Sequence, residues 1–192
     1  AQLTGELACC AGSSGPGHVH LINGLYDAHR SGAPVLAIAS SVATYEMGTR
    51  YFQETDTIKL FDDCSYYNQM ATTPKQFPRM LQAAMQTAVT LRGVSVVGLP
   101  GDLAATECQP VDSSLITYDM SSDIVLEQSW VERLSKWLNK ANKITIYCGI
   151  GAKDAHQEVV ELSQRLNAPV AYSFKSKMEI QYDNPNEVGM TG

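Results

Sequence analysis

The sequence lacks the features that mark membrane-spanning and nucleic-acid-binding proteins. No apolar run approaches the roughly 20 residues that a transmembrane helix needs, and the longest, residues 35–39, suits a buried strand. Basic residues are few, with 14 Lys and Arg against 20 Asp and Glu, and they form no face that could bind a phosphate backbone. The sequence therefore predicts no membrane span and no nucleic-acid partner.

Several catalytic and metal-binding motifs are also missing. The five cysteines are an odd number without a CxxC spacing, which favours reduced thiols and a cytoplasmic location. No P-loop occurs, and Ser14 does not satisfy the GxSxG pattern of a hydrolase nucleophile because Gly15 follows it directly. His18 and His20 point in well-separated directions on a helix and cannot readily share an ion. We expect no metal ligands in the chain.

The hydrophobic pattern that is present predicts an α/β fold. Apolar runs predict buried strands at residues 7–10, 34–40 and 94–99. Amphipathic segments predict helices at residues 16–31 and 74–92. Nearly continuous apolar strands that alternate with helices indicate a parallel sheet covered on both faces, which is a three-layer domain.

The composition changes after this first block. Residues 102–122 have neither periodicity nor hydrophobic density, and we predict that they link a domain at 1–101 to a second at 123–192. The second block opens with an amphipathic helix for which Asp123 is a suitable N-cap.

A glycine-rich turn follows the first strand of the second block. Strands predicted at residues 144–148 and 169–174 flank a helix and form one βαβ unit. Gly149 and Gly151 lie between the first strand and the helix, where small residues let backbone N–H groups and the helix dipole approach a phosphate. The dinucleotide fingerprint has a third glycine where this sequence has Asp154. A tight turn and a nucleotide site both remain open interpretations.

Three other segments are ambiguous by themselves. Residues 51–55 place an aromatic ring, an amide and a carboxylate in a long loop after a strand, where α/β proteins bind ligands. His20 is either a polar group facing a cleft or an ordinary surface histidine. Lys175 and Lys177 follow the last predicted strand and are either a solvated end or an anion contact.

Taken together, several long motifs in order and spacing resemble one enzyme family. They occupy residues 12–17, 21–28, 34–38, 52–54, 93–102, 146–152, 182–185 and 188–192. The first block resembles the pyrimidine-binding domain of thiamine-diphosphate enzymes of the pyruvate oxidase and acetolactate synthase group. The second block resembles the N-terminal half of that group's Rossmann-like, FAD-binding middle domain.

Within the group, the sequence is most similar to pyruvate:quinone oxidoreductases. The resemblance implies thiamine diphosphate, Mg²⁺ and FAD as cofactors, and oxidative decarboxylation of pyruvate or another small 2-oxo acid to a carboxylic acid and carbon dioxide. It also implies a quinone acceptor, a homodimer or homotetramer, and peripheral membrane contact through a C-terminal region. The alternatives are an oxygen- and phosphate-dependent pyruvate oxidase, an acetolactate synthase, and a non-catalytic flavin- or nucleotide-binding fragment.

The resemblance assigns site residues only where the motifs match. Near the thiamine ring and the reacting centre it implies Gly15, Pro16, Gly17, His20, Phe52 and Gln53. Bordering the FAD it implies Gly149, Gly151, Ala152, Ser173, Phe174, Lys175 and Gly192. The family's activating glutamate and its magnesium-binding GDG…N motif do not occur in this sequence. We therefore expect the Mg²⁺ site outside this chain, and the 192-residue piece to be inactive by itself.

Overall fold

Two α/β units make up the chain, residues 1–122 and 123–192. The computed structural model describes residues 1–107 and 125–191 of them. Every strand pair within these ranges is parallel, so the predicted parallel-sheet α/β fold is confirmed. No helix within them is long and apolar enough to cross a membrane.

The first unit is built on a four-stranded sheet. Its strands are β1 (Ala8–Gly12), β2 (Val35–Ser41), β3 (Tyr67–Met70) and β4 (Val94–Pro100), and their order across the sheet is β1-β2-β4-β3. The central strands β2 and β4 pair along their whole length, from Val35 opposite Val94 to Ser41 opposite Pro100. This register brings the carboxyl ends of the central strands to one edge of the sheet.

Helices cover both faces of this sheet. They are α1 (Pro16–Val19), α2 (Ile22–Arg30), α3 (Thr57–Phe61), α4 (Phe77–Leu91) and α5 (Gly101–Ala104). Val96 of β4 packs with Leu25 of α2 and Phe61 of α3, whereas Val97, which points to the opposite face, packs with Met80 and Ala84 of α4. Because both faces are buried, β4 is apolar without alternation.

The second unit has a three-stranded sheet in the order β5-β6-β7. Its elements are α6 (Gln128–Lys140), β5 (Ile146–Cys148), α7 (His156–Leu166), β6 (Val170–Tyr172), α8 (Lys177–Ile180) and β7 (Glu187–Met190). Its core is formed by Cys148, Val170, Tyr172 and Ile180. The phenolic hydroxyl of Tyr172 donates to the Glu187 carboxylate at 2.5 Å, which joins β6 to β7.

The structure differs from the sequence-based expectation at several elements. The edge strands β3 and β7 were not predicted, and the helix expected at 16–31 is split into α1 and α2. Within the predicted linker, residues 102–104 belong to α5, and residues 108–122 lie outside the described ranges. Asp123 also lies outside them, while α6 begins at Gln128 with Glu127 as its N-cap residue.

Candidate functional site

Gly15 is the point at which the turn after β1 meets the loop after β2. Its φ is +63°, and a Cβ built on it would lie 2.8 Å from the Cβ of Gln53. Any side chain at Gly15 would therefore strain the backbone and displace the loop. The structure thus brings together two segments that the sequence assigned to one site, although they are far apart in the chain.

The rest of the turn folds tightly back over the end of β1. The backbone N–H of His18 donates to the Ser13 carbonyl at 2.9 Å. A Cβ on Gly17 would overlap the Ser13 hydroxyl, so the position has no room for a side chain. Pro16 is the first residue of α1, where its missing N–H is not needed. The turn is therefore compact at the carboxyl edge of the sheet, with Gly15 buried and Gly17 partly buried.

Phe52 and Gln53 are exposed beside this turn. The Phe52 side chain is 79% exposed, which is unusual for an aromatic residue whose neighbouring loop is well fixed. Gln53 adopts a φ of +64°, a conformation uncommon for residues other than glycine. His20 is also exposed, as the residue that ends α1. Among residues 1–107, no hydrogen bond or ring contact shown by the structure links His20 to Phe52 or Gln53.

His18, which the sequence analysis set aside, is the central buried polar group of this region. Its side chain is fully buried, and its ring bonds to the Ser40 carbonyl at 2.8 Å and the Thr55 hydroxyl at 2.6 Å. Burial lowers the pKa of His18, against the opposing effect of the Ser40 carbonyl. No sequence spacing signals this residue, because its partners lie 22 and 37 residues away.

Carboxylates fix the rest of the loop between β2 and α3. Glu54 accepts hydrogen bonds from the backbone N–H groups of Gly48 at 2.5 Å and Tyr51 at 3.2 Å. Asp102 accepts from the N–H of Thr44 at 2.9 Å and from its hydroxyl, and these bonds lower the pKa of Asp102. The loop is therefore held close to both of its ends although it contains no regular element.

A groove of about 590 Å³ lies beneath this loop. Ser41 and Met70, at the carboxyl ends of β2 and β3, form its floor, and Arg50 and Glu54 lie along the loop side. The groove adjoins the Phe52–Gln53 segment in the chain. Arg50 gives the groove a cationic group, whereas the Glu54 carboxylate is already bonded to the Gly48 and Tyr51 N–H groups.

In the second unit, the expected FAD-bordering segments lie next to each other. The 3₁₀ turn Ile150–Ala152 contacts the 3₁₀ turn Phe174–Ser176. The Cys148 carbonyl links them, accepting from the Ser173 N–H at 3.0 Å and the Ser176 hydroxyl at 2.7 Å. Both turns follow the carboxyl ends of their strands, which is the edge where open parallel sheets bind ligands.

The groups that border this edge differ in exposure. A Cβ on Gly149 or Gly151 would meet nothing within 4 Å, so the main chain there is open to a ligand. Phe174 is 74% exposed, and Lys175 is exposed next to it. Ala152 instead packs against the core of the unit. Gly192 lies outside the described residues.

The helix after the glycine turn begins later than the sequence suggested. Asp154 has a φ of +68°, and α7 starts only at His156. The left-handed residue turns the chain between Gly151 and the helix, so the glycine turn does not open α7 directly. Ligand binding by the glycine turn would therefore depend on the open backbone groups of Gly149 and Gly151 rather than on the dipole of α7.

The described residues fit part of each cofactor that the fold family implies. The exposed Phe52 ring and the Gln53 amide, which lie against the buried Gly15 turn, suit one side of an aromatic heterocycle such as thiamine. The open backbone at Gly149 and Gly151 suits a nucleotide cofactor. Within residues 1–107 and 125–191 there is no group of three His, Cys, Asp or Glu side chains that could hold a metal ion.

Each of the two units of the chain contains a match to a different domain of one family of known proteins. Residues 1–60 match the model of the N-terminal TPP binding domain of thiamine pyrophosphate enzymes, and residues 131–192 match the model of their central domain. The chain is 46% identical over its full length to an "uncharacterized 42.6 kDa protein in isoamylase 3′ region" of Pseudomonas amyloderamosa, of which it covers 49%. It is 34% identical over 92% of its length to the pyruvate oxidase of Lactiplantibacillus plantarum, of which it covers 30%.

More distant matches extend the same pattern. Acetolactate synthases match at 27% to 29% identity. The solved structure of a thiamine diphosphate-dependent 4-hydroxybenzoylformate decarboxylase from Rhodococcus jostii RHA1 shares the fold, with a TM-score of 0.76, 22% identity, and coverage of 90% of this chain and 33% of that one. The chain thus spans half or less of the length of these relatives. It belongs to the thiamine pyrophosphate enzyme family and carries sequence of that family's N-terminal and central domains.

Proposed function

We propose that the chain is a segment of a thiamine-diphosphate- and FAD-dependent enzyme that oxidatively decarboxylates pyruvate. In the overall reaction, pyruvate, water and a quinone give acetate, carbon dioxide and the quinol. The observation that carries the proposal is the contact between Gly15 and Gln53, which joins the glycine turn to an exposed aromatic and amide pair at the carboxyl edge of the sheet.

In this proposal, the residues of the first unit bind the thiamine ring and orient the substrate. When bound, thiamine diphosphate supplies a nucleophilic carbon and an electron sink, and FAD supplies an electron acceptor. The backbone at Gly15 and Gly17 lies against the thiamine pyrimidine ring. Phe52 forms an apolar wall that excludes water, and the Gln53 amide N–H donates to a substrate oxygen. His20, exposed at the end of α1, holds or moves a proton at a ring nitrogen.

The residues of the second unit border the flavin nucleotide. The open backbone at Gly149 and Gly151 approaches it closely, while Phe174 offers an aromatic face and Lys175 a positive charge. The metal, the rest of the cofactor sites and the quinone contact come from regions beyond this chain. We propose that the complete protein assembles as a homodimer or homotetramer, with any membrane contact made by those regions.

The test uses the full-length protein. We expect pyruvate to reduce the bound flavin, and a quinone analogue to reoxidise it, only when thiamine diphosphate and Mg²⁺ are present. Gln53→Leu should lower kcat/KM about 10- to 100-fold, since it removes one polar contact to the reacting substrate. Gln157→Leu, the same change at an exposed position on α7, should have no effect.

Two outcomes would redirect the assignment. A flavin that pyruvate never reduces, with acetolactate as product, would favour an acetolactate synthase. The identity to a pyruvate oxidase supports a second candidate, in which oxygen and phosphate replace the quinone. Formation of hydrogen peroxide and acetyl phosphate during turnover would favour that candidate.

A further inference from the structure

We infer that His18 is a positioning residue, which holds the Phe52–Gln53 segment over the Gly15 turn through its hydrogen bond to Thr55. The inference rests on the proposed function, which assigns Phe52 and Gln53 to the substrate site. It adds a residue that touches neither substrate nor cofactor to the residues assigned above.

The hydrogen bonds of His18 define its tautomer. The Ser40 carbonyl can only accept, so Nδ1 of His18 carries the hydrogen and donates it over 2.8 Å. In the neutral ring Nε2 then has a lone pair, and it accepts the hydroxyl hydrogen of Thr55 over 2.6 Å. One ring thereby connects the end of β2 to a loop residue that is two positions after Gln53.

Burial makes this connection specific. The His18 ring is fully buried and packs edge-on against Phe61, with ring centroids 5.8 Å apart. Neither ring nitrogen can turn to water if its partner is lost, so each hydrogen bond is costly to leave unmade. The short side chain of asparagine or the flexible one of glutamine would not span both partners as a rigid imidazole does.

The position of Thr55 explains what the connection controls. Thr55 lies between Glu54, which closes the loop onto Gly48 and Tyr51, and Asp56, which caps α3 by accepting from the Lys59 N–H. These neighbours are bound within their own segment. Among the hydrogen bonds that residues 51–55 make within the described part of the chain, the His18–Thr55 bond joins them to the segment of the glycine turn. It therefore sets where Phe52 and Gln53 lie relative to Gly15.

Hydrogen exchange on the 192-residue chain tests this role without turnover. Thr55→Val keeps the shape but removes the hydroxyl, whereas Thr55→Ser keeps the hydroxyl and acts as the conservative rescue. We expect Thr55→Val to speed exchange in residues 51–55 and tryptic cleavage after the exposed Arg50 by about 3- to 10-fold, the range for loss of one neutral hydrogen bond. Thr55→Ser should stay within about twofold of the parent.

The matched control is Thr57→Val. The buried Thr57 hydroxyl has no hydrogen-bond partner among residues 1–107 and 125–191, so the same substitution two residues away should not loosen the loop. Equal exchange in the Thr55→Val and Thr55→Ser chains would overturn the inference. Faster exchange throughout β1, β2 and β4, rather than in residues 51–55, would overturn it as well, since that would show a general structural role.

The full-length enzyme separates this inference from the proposed function. If the proposed function holds, Thr55→Val should lower kcat/KM for pyruvate by a factor similar to its effect on loop exchange, and Thr55→Ser should restore it. If the parent does not oxidise pyruvate, the proposed function fails, while the exchange comparison still decides whether His18 positions the loop.

Discussion

Replacing Gly15 by alanine measures how closely the glycine turn and the loop approach each other. The new Cβ would lie 2.8 Å from the Cβ of Gln53 and 3.2 Å from its Cα, so main chain has to move. At φ +63° and ψ −120°, outside the left-handed helical region, a side chain costs about 1–3 kcal/mol. Forcing an extra methyl into this contact costs about 1–3 kcal/mol more. We therefore expect the first unit to lose about 2–6 kcal/mol of its free energy of unfolding.

Gly48→Ala is the matched control for this experiment. Gly48 has a φ of +81°, but a Cβ there would meet nothing within 4 Å, so only the conformational cost of about 1–2 kcal/mol applies. Native-state hydrogen exchange of the buried β4 amides gives the free energy of unfolding of the first unit separately. The fluorescence of Trp130 and Trp137, both in the second unit, should be unchanged in both variants. Equal losses for the two variants would refute the reasoning.

Three further predictions concern buried polar groups. Burial lowers the pKa of His18 and of His29, so the unfolded chain binds protons at a higher pH than the folded chain does. The first unit should therefore lose stability as pH falls below about 6.5, by at most about 1.4 kcal/mol per pH unit for each histidine. Urea titrations at several pH values measure this loss. The hydrogen bond to Glu187 raises the pKa of Tyr172 to about 12, above its usual value of about 10. The second unit should keep this contribution below pH 10 and lose it between pH 10 and 12, and the highest phenol ionisation in an ultraviolet titration should vanish in Tyr172→Phe. Thr57→Val should leave the unfolding free energy unchanged or raise it by about 1–2 kcal/mol, because the buried hydroxyl has no partner in the part of the chain that the structure describes; a loss above about 1 kcal/mol would contradict this.

The sequence predicts the apolar strands but not the polar edge strand β3. β2 and β4 are buried on both faces and appear as apolar runs, whereas β3 consists of Tyr67, Asn68, Gln69 and Met70. The Asn68 amide of β3 donates to the carbonyls of Thr57 and Ile58, so a polar residue is needed there. β3 therefore has no apolar run that would mark it as a strand, whereas the edge strands β1 and β5 are apolar and are predicted.

The candidate site is only partly contained in local sequence. The glycine turn and the residues around Gln53 each stand out as motifs, but their contact joins residues 38 positions apart and follows from the pairing of β1 with β2. The hydrogen bonds of His18 have no local signal for the same reason, since neither Ser40 nor Thr55 is near it in the chain. The delayed start of α7 depends on one left-handed residue, Asp154, whose conformation no hydrophobic pattern reveals.

The attachment of the loop after β2 near both of its ends has a consequence for how its length can vary. Glu54 binds the N–H groups of Gly48 and Tyr51, so Thr49 and Arg50 form an exposed tip outside that small ring. Doubling the length of such a tip costs only about 0.6 kcal/mol in closure entropy. Insertions there would leave the position of Gln53 unchanged, whereas a single residue added between Gln53 and Thr55 would shift it. The length of the tip can therefore vary while the segment that faces the glycine turn keeps a constant spacing.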